Sequence, residues 1–189
     1  MRLAVFANHA FGREVLVDLH THHRVALVIT TEGSTGYRAA RLHLPVIYWN
    51  PGDPGASVRL LRATLTALGV GPRLGVCAHW HHHVPAAARA LFRQGVIGYH
   101  PSLLPSYRGR DAVQQQVADD VTWTGGTVYR LDDGWDTGEV LHTKAVQREA
   151  GADAGTLWRN TLAPLGVGML RRTVTDLEVG DDGTASEVG

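Results

Sequence analysis

Apolar positions in this chain fall in short continuous runs separated by stretches of helical spacing. Leu3-Ala-Val-Phe has the length of a buried strand, and Glu14-Val-Leu-Val-Asp-Leu-His after it sets Val15, Leu16 and Leu19 on one helical stripe. Val25-Ala-Leu-Val-Ile-Thr repeats the strand pattern with no polar face, as a strand covered on both sides requires. A short helix over residues 35–44, a short strand at Pro45-Val-Ile-Tyr and the turn-rich Asn50-Pro-Gly-Asp-Pro-Gly follow. Ser57 to Leu68 carries Val58, Leu61, Leu65 and Leu68 at helical spacing and stops at Gly69. Leu74-Gly-Val-Cys-Ala reads as a strand, Pro85 to Arg93 as a helix, and Val96-Ile-Gly-Tyr as the strand that delivers His100.

Beyond it, Asp111 caps a helix through Val117, Trp123 to Leu131 alternates as a strand, and Val140 to Gln147 is its expected antiparallel partner across an acidic turn. Residues 153–177 form a terminal helical region with Leu157, Leu165 and Leu170 on the buried face, expected to break at Pro164 and Gly166. Alternating strand and helix predicts an α/β fold: a Rossmann-like, doubly wound, mostly parallel sheet with ligands at the carboxyl ends of its strands. One domain over residues 1–179 is expected, with the polar, glycine-rich residues 180–189 as a flexible tail.

Composition narrows the function. A chain of 189 residues is long enough to bury its own core, and 18 Lys+Arg against 18 Asp+Glu with no basic run leaves no electrostatic footprint for nucleic acid. The single cysteine, Cys77, lies in an apolar run and reads as a small buried hydrophobe in a reducing compartment. The apolar run at the N-terminus is too short for a signal peptide and no stretch approaches membrane-spanning length, so a cytoplasmic protein without a membrane partner is expected.

Four stretches carry candidate chemistry. The first strand-to-helix loop, Ala7-Asn-His-Ala-Phe-Gly12, has one glycine and neither a dinucleotide nor a Walker pattern, although its helix N-terminus suits a carboxylate or phosphate. In His79-Trp-His-His-His83, a persisting strand would set His79, His81 and His83 on one face. No H-E-x-x-H or paired thiolates accompany them, so the reading is a pocket rim or solvated loop and no metal is assigned. Gly98-Tyr-His-Pro-Ser-Leu-Leu-Pro-Ser-Tyr-Arg-Gly109 carries His100 from a buried strand into a loop stiffened by Pro101 and Pro105. Asp132-Asp-Gly-Trp-Asp-Thr-Gly138 is a tight acidic turn between two strands. Taken singly, His100 and Asp136 are ordinary turn residues; together, at one edge of a sheet, they form an imidazole and carboxylate equipped to carry a proton at neutral pH.

These motifs resemble the 10-formyltetrahydrofolate-dependent formyltransferases, in the order and spacing of His100-Pro-Ser-Leu-Leu-Pro, Tyr107-Arg-Gly, Gly125-Gly-Thr-Val and Asp133-Gly-Trp-Asp-Thr-Gly. The likeness covers Val96 to Gln147 and extends more weakly to the start through Phe11-Gly-Arg-Glu-Val; in motif it is closest to the hydrolase domain of formyltetrahydrofolate dehydrogenase. The resemblance implies that His100 and Asp136 are the catalytic pair and that 10-formyltetrahydrofolate is the formyl donor. It sets the folate against the loop after Cys77 and the acidic turn, where Trp80, His81, Asp133 and Gly134 contact it. Trp80, Val84 and Leu104 offer apolar walls for a flat pteridine.

One position departs from the pattern. The transferases carry an Asn two residues before the histidine, donating to the formyl oxygen, and Gly98 stands there in this chain. Three readings follow: a nearby histidine such as His81 replaces the donor, the site is built to hydrolyse 10-formyltetrahydrofolate, or the protein is a non-catalytic folate-binding module. Gly98 is also expected to leave room for a water or a bulkier acceptor. The tRNA-directed members have a further C-terminal domain, so this length and neutral charge favour formyl transfer to a small-molecule amine or hydroxylamine; a homodimer is left open.

Overall fold

Among the described residues, seven strands in the order β3-β2-β1-β4-β5-β6-β7 carry the fold. They are β1 (Arg2–Ala7), β2 (Arg24–Thr30), β3 (Val46–Tyr48), β4 (Leu74–Ala78), β5 (Val96–His100), β6 (Trp123–Arg130) and β7 (Val140–Gln147). The computed structural model describes residues 1–69 and 71–184. The pairings β3-β2, β2-β1, β1-β4 and β4-β5 are parallel, with Leu3 opposite Leu74 and Ala7 opposite Ala78 along the central seam. Every residue of β4 is buried and β1 is buried from Leu3 onward. Their unbroken apolar runs have no polar face because helices cover both sides. Bonds from Arg130 N to Glu139 O (2.8 Å) and from Arg148 N to Thr122 O (2.9 Å) mark the two ends of the β6-β7 hairpin.

The helices are α1 (His9–His22), α2 (Gly33–Arg41), α3 (Pro54–Ala67), α4 (Ala86–Arg89), α5 (Ala112–Ala118), α6 (Ala154–Leu157) and α7 (Ala163–Thr184). Helix α3 begins three residues before its expected start at Ser57, because that start is set by chemistry at the end: Asp53 accepts from Ala56 N at 2.8 Å and Pro54 takes the first position. The helix expected over Pro85 to Arg93 is a single turn, α4, and Asp111 stands at the start of α5 without a side-chain cap. The expected break at Pro164 is absent. A π-helical segment, Trp158–Leu162, joins α6 to α7, and Pro164 falls in the first turn of α7, where its missing N–H is tolerated. Helix α7 then runs through Gly166 to Thr184, so the first half of the expected tail is helical, and residues 185–189 lie outside the described residues.

Two compact units divide these elements. The first is Met1–Tyr99 with Tyr129–Glu139; the second is His100–Val128 with the chain from Val140 onward. Phe6 centres the core of the first, fully buried, with ring centroids 5.3 Å from Trp80, 6.1 Å from Phe92 and 6.3 Å from Trp49, all near edge-to-face. Leu27, Ile29, Leu61 and Val96 close around it. The second unit is packed on Val113, Leu157 and Leu162, with Trp158 and Leu165 against them. Cutting Phe6 to Ala removes the ring that three aromatic neighbours share, and the expected loss in urea unfolding is about 3–5 kcal/mol.

Candidate active site

Strand order reverses at β1 and β4, and in open α/β sheets such a reversal opens a crevice at the carboxyl ends. Asn8 and His9 leave β1 there. Asn8 is buried; its Oδ1 accepts from Thr30 Oγ1 (2.9 Å) and Thr31 N (3.1 Å), and its own N–H donates to Ala78 O (3.3 Å). The anion position at the start of α1 is taken by the chain itself. His9 N donates to Glu32 Oε2 at 2.7 Å, His9 Nδ1 lies 2.7 Å from Oε1, and Thr35 Oγ1 donates to Oε2 at 3.2 Å. Burial works against the ionised form of Glu32, but the His9 hydrogen bond and charge, Thr35 and Arg13 outweigh it and hold the carboxyl below its usual range.

The alternation expected of His79, His81 and His83 does not occur, because β4 ends at Ala78 and His79 is left-handed at φ 54°. That residue turns the chain. The His79 ring lies 4.9 Å from His9 and 4.7 Å from His81 between centroids, whereas His83 meets Trp135 at 6.1 Å. Burial first, then the neighbouring His81 and His9, depress His79 to about 4. Among the described residues no group of three or more His, Cys, Asp or Glu is placed to hold a metal ion. Cys77 is buried and burial pushes its thiol up, which removes it as a nucleophile.

In the second unit His100 ends β5, buried, with its Nε2 2.6 Å from the carbonyl oxygen of Tyr107. A carbonyl only accepts, so Nε2 carries the proton and Nδ1 is the basic nitrogen of the neutral ring. The proline loop is held by side chains in place of ladder bonds. Ser102 Oγ donates to Ser106 O (2.6 Å), Thr127 Oγ1 to Ser102 O (2.7 Å) and Leu104 N to Thr127 Oγ1 (3.1 Å). Gln116 Nε2 donates to Pro101 O (2.9 Å) while its Oε1 accepts from Thr124 Oγ1 (2.7 Å). These buried polar groups fix the backbone that fixes the imidazole.

The acidic turn, in the first unit, is closed by Asp132. Its Oδ1 accepts from Gly134 N (2.9 Å) and Thr137 Oγ1 (2.7 Å), and the Thr137 bond first of all holds its carboxyl below the ordinary range. Asp133 pairs with Arg89 of α4, at 2.5 Å. Asp136 is left-handed at φ 55° and its Oδ1 accepts from Tyr129 OH at 2.7 Å. A side chain at Gly98 would begin 3.0 Å from Leu131 Cδ1 and 3.6 Å from Tyr129 Cε1. The room expected over this glycine is narrowed by Leu131, while Tyr129 stands at ordinary contact distance.

Of the residues singled out from sequence, Trp80, His81 and Val84 share the first unit with Asp133, Gly134 and Asp136, and two contacts tie their loops together: Arg89 to Asp133 and His83 to Trp135. Val84 is 2% exposed and packed in the core, while Trp80 is partly buried. His100 and Leu104 share the proline loop of the second unit. Sequence reasoning passed over Tyr129, Glu32, His9 and Asp132. For Tyr129 the available signal was its place at the end of the strand that enters the acidic turn.

The family model described as formyl transferase matches residues 1–173. This chain belongs to the formyl transferase family. A methionyl-tRNA formyltransferase of Clavibacter michiganensis subsp. michiganensis is 34% identical over 95% of this chain and 61% of its own length. The human cytosolic 10-formyltetrahydrofolate dehydrogenase is 30% identical over 88% of this chain and 19% of its own length. A phosphoribosylglycinamide formyltransferase structure from Bacillus halodurans superposes with a TM-score of 0.81 at 24% identity, covering 94% of this chain and 95% of that one, a likeness of fold. This family member spans between 27% and 61% of the length of the first methionyl-tRNA relatives it matches. No helix among its described residues is long and apolar enough to cross a membrane.

The depressed His79 has a consequence for stability. An unfolded chain takes up this proton near pH 6.5 and the native ring only near 4, so native stability falls as pH falls through that window. In urea titrations at pH 7, 5.5 and 4.5, His79→Gln is expected to gain stability relative to the native protein with each step down in pH. A constant difference between the two would contradict the assignment.

Proposed function

We propose that this chain transfers the formyl group of 10-formyltetrahydrofolate to the amine of a small-molecule acceptor. The observation that carries the reading is the pinned imidazole of His100, protonated on Nε2 against the Tyr107 carbonyl and basic at Nδ1, in a member of the formyl transferase family. The acceptor nitrogen bonds to the formyl carbon, the bond from that carbon to N10 of the folate breaks, and one proton passes from the amine to N10. His100 stabilises the developing oxyanion or carries that proton, and Asp136 supplies the charge that holds a protonated imidazole. Folate is read against the loop of Trp80, His81 and Val84, the turn of Asp133 and Gly134, and Leu104. Trp80 offers an aromatic face and the turn offers a backbone already closed by Asp132, which suits a flat heterocycle with several hydrogen-bonding edges. Val84, packed in the core, would contribute backbone and shape. Residues 1–179 are read as the catalytic domain.

Hydrolysis of 10-formyltetrahydrofolate is the second reading, favoured by Gly98, which supplies no side-chain donor to the formyl oxygen. Formate release from 10-formyltetrahydrofolate without acceptor separates the two: rapid release assigns hydrolysis, and turnover only on adding amino sugars or hydroxylated amines assigns transfer. In either case His100→Ala and Asp136→Asn are expected to lower turnover about a hundredfold or more with the fold intact by circular dichroism. Full activity in both variants would refute the site, and tight folate binding with no turnover under any condition would leave a binding module.

A further inference from the structure

Gly98, Tyr129, Leu131 and Asp136 interlock within the first unit. A Cβ at Gly98 would stand 3.0 Å from Leu131 Cδ1, a tight approach, and at ordinary contact distance, 3.6 and 3.7 Å, from Cε1 and Cζ of Tyr129. The Tyr129 ring there carries its hydroxyl to Asp136 Oδ1, 2.7 Å away. A phenol has one proton to donate, and this one is committed to the carboxylate. Asp136 in turn holds a left-handed backbone at φ 55°, a conformation that persists where the surroundings dictate it. Burial, followed by the charge of Asp136 and the hydrogen bond to it, raises the Tyr129 phenol, which keeps it a neutral donor across the working pH range.

We propose that Tyr129 is a positioning residue for Asp136, its hydroxyl fixing the carboxylate from the end of β6. The inference rests on the reading that Asp136 works in formyl chemistry.

The test is a double-mutant cycle on formyl loss from 10-formyltetrahydrofolate, run in water and with hydroxylamine as added nucleophile. Tyr129→Phe keeps the ring and deletes the hydroxyl. The expected result is a kcat lower by about tenfold with KM unchanged and a Tm lowered by the lost hydrogen bond, and no further loss of kcat when Tyr129→Phe is placed in the Asp136→Asn protein. Equal kcat in native and Tyr129→Phe proteins, with Asp136→Asn inactive, overturns the positioning role and leaves the functional reading standing. Native turnover in Asp136→Asn overturns both. Losses that simply add overturn action through Asp136. A readout independent of turnover is the hydroxyl proton of Tyr129 by NMR in protein labelled with 13Cζ tyrosine. It is expected to be protected from exchange in the native protein and to lose that protection in Asp136→Ala, which removes the acceptor; rapid exchange in the native protein would overturn the bond.

Discussion

Helix α1 lies with its backbone directly on the seam between β1 and β4, and the rest of the first unit is arranged around that contact. A Cβ on Gly12 would fall 2.9 Å from the carbonyl oxygen of Ala78 and 3.1 Å from the backbone of Ala7, so no side chain fits between helix and sheet. Strand pairing sets Ala7 opposite Ala78 along that seam, and Asn8 N donates to Ala78 O where the strands end. The chain turns at once on leaving each strand, through His9 and His79 in left-handed conformations. The three-imidazole cluster of His9, His79 and His81 follows from these turns as a by-product of geometry at the strand reversal.

Much of this architecture was legible because burial on both faces of a parallel sheet leaves continuous apolar runs, as in Leu3-Ala-Val-Phe and Leu74-Gly-Val-Cys-Ala. Helix ends were less legible where a local rule yielded to another. Pro164 does not break the terminal helix because the ladder widens to π spacing just before it and leaves the proline in a first turn. The histidine run misled because strand alternation was carried through His83, four residues past His79, where φ changes sign. Of the candidate site, His100 and Asp136 stood out through their flanking glycines and prolines, whereas the relation of Gly98 to Tyr129 joins residues 31 positions apart and has no local signature. A missing side chain looked like open space because sequence records what a residue lacks and says nothing about what fills the place.

The second unit shows a different means of holding a loop still. Residues 101–107 have two prolines and little backbone pairing, and their order comes from hydroxyl and amide side chains of β6 and α5: Thr127 clasps Ser102 and Leu104, while Gln116 spans Pro101 and Thr124. Apolar substitutes at these positions would keep the volume and abandon buried carbonyls without donors. The imidazole of His100 inherits this rigidity through its bond to Tyr107 O.

The clasp that Asp132 makes on Gly134 and Thr137 also bears on association. A loop that must be ordered by its ligand charges that ordering against affinity and delays the productive encounter until the right shape is sampled. On the proposed reading of this turn as a folate contact, a loop already closed by its own carboxylate would meet the ligand with that entropy spent at folding, so contacts to its backbone would count toward binding almost in full. Recognition there would then be governed by fit to a surface that stands ready, in the manner of a mould, and a compound of the wrong outline would gain nothing from the loop's adjusting to it.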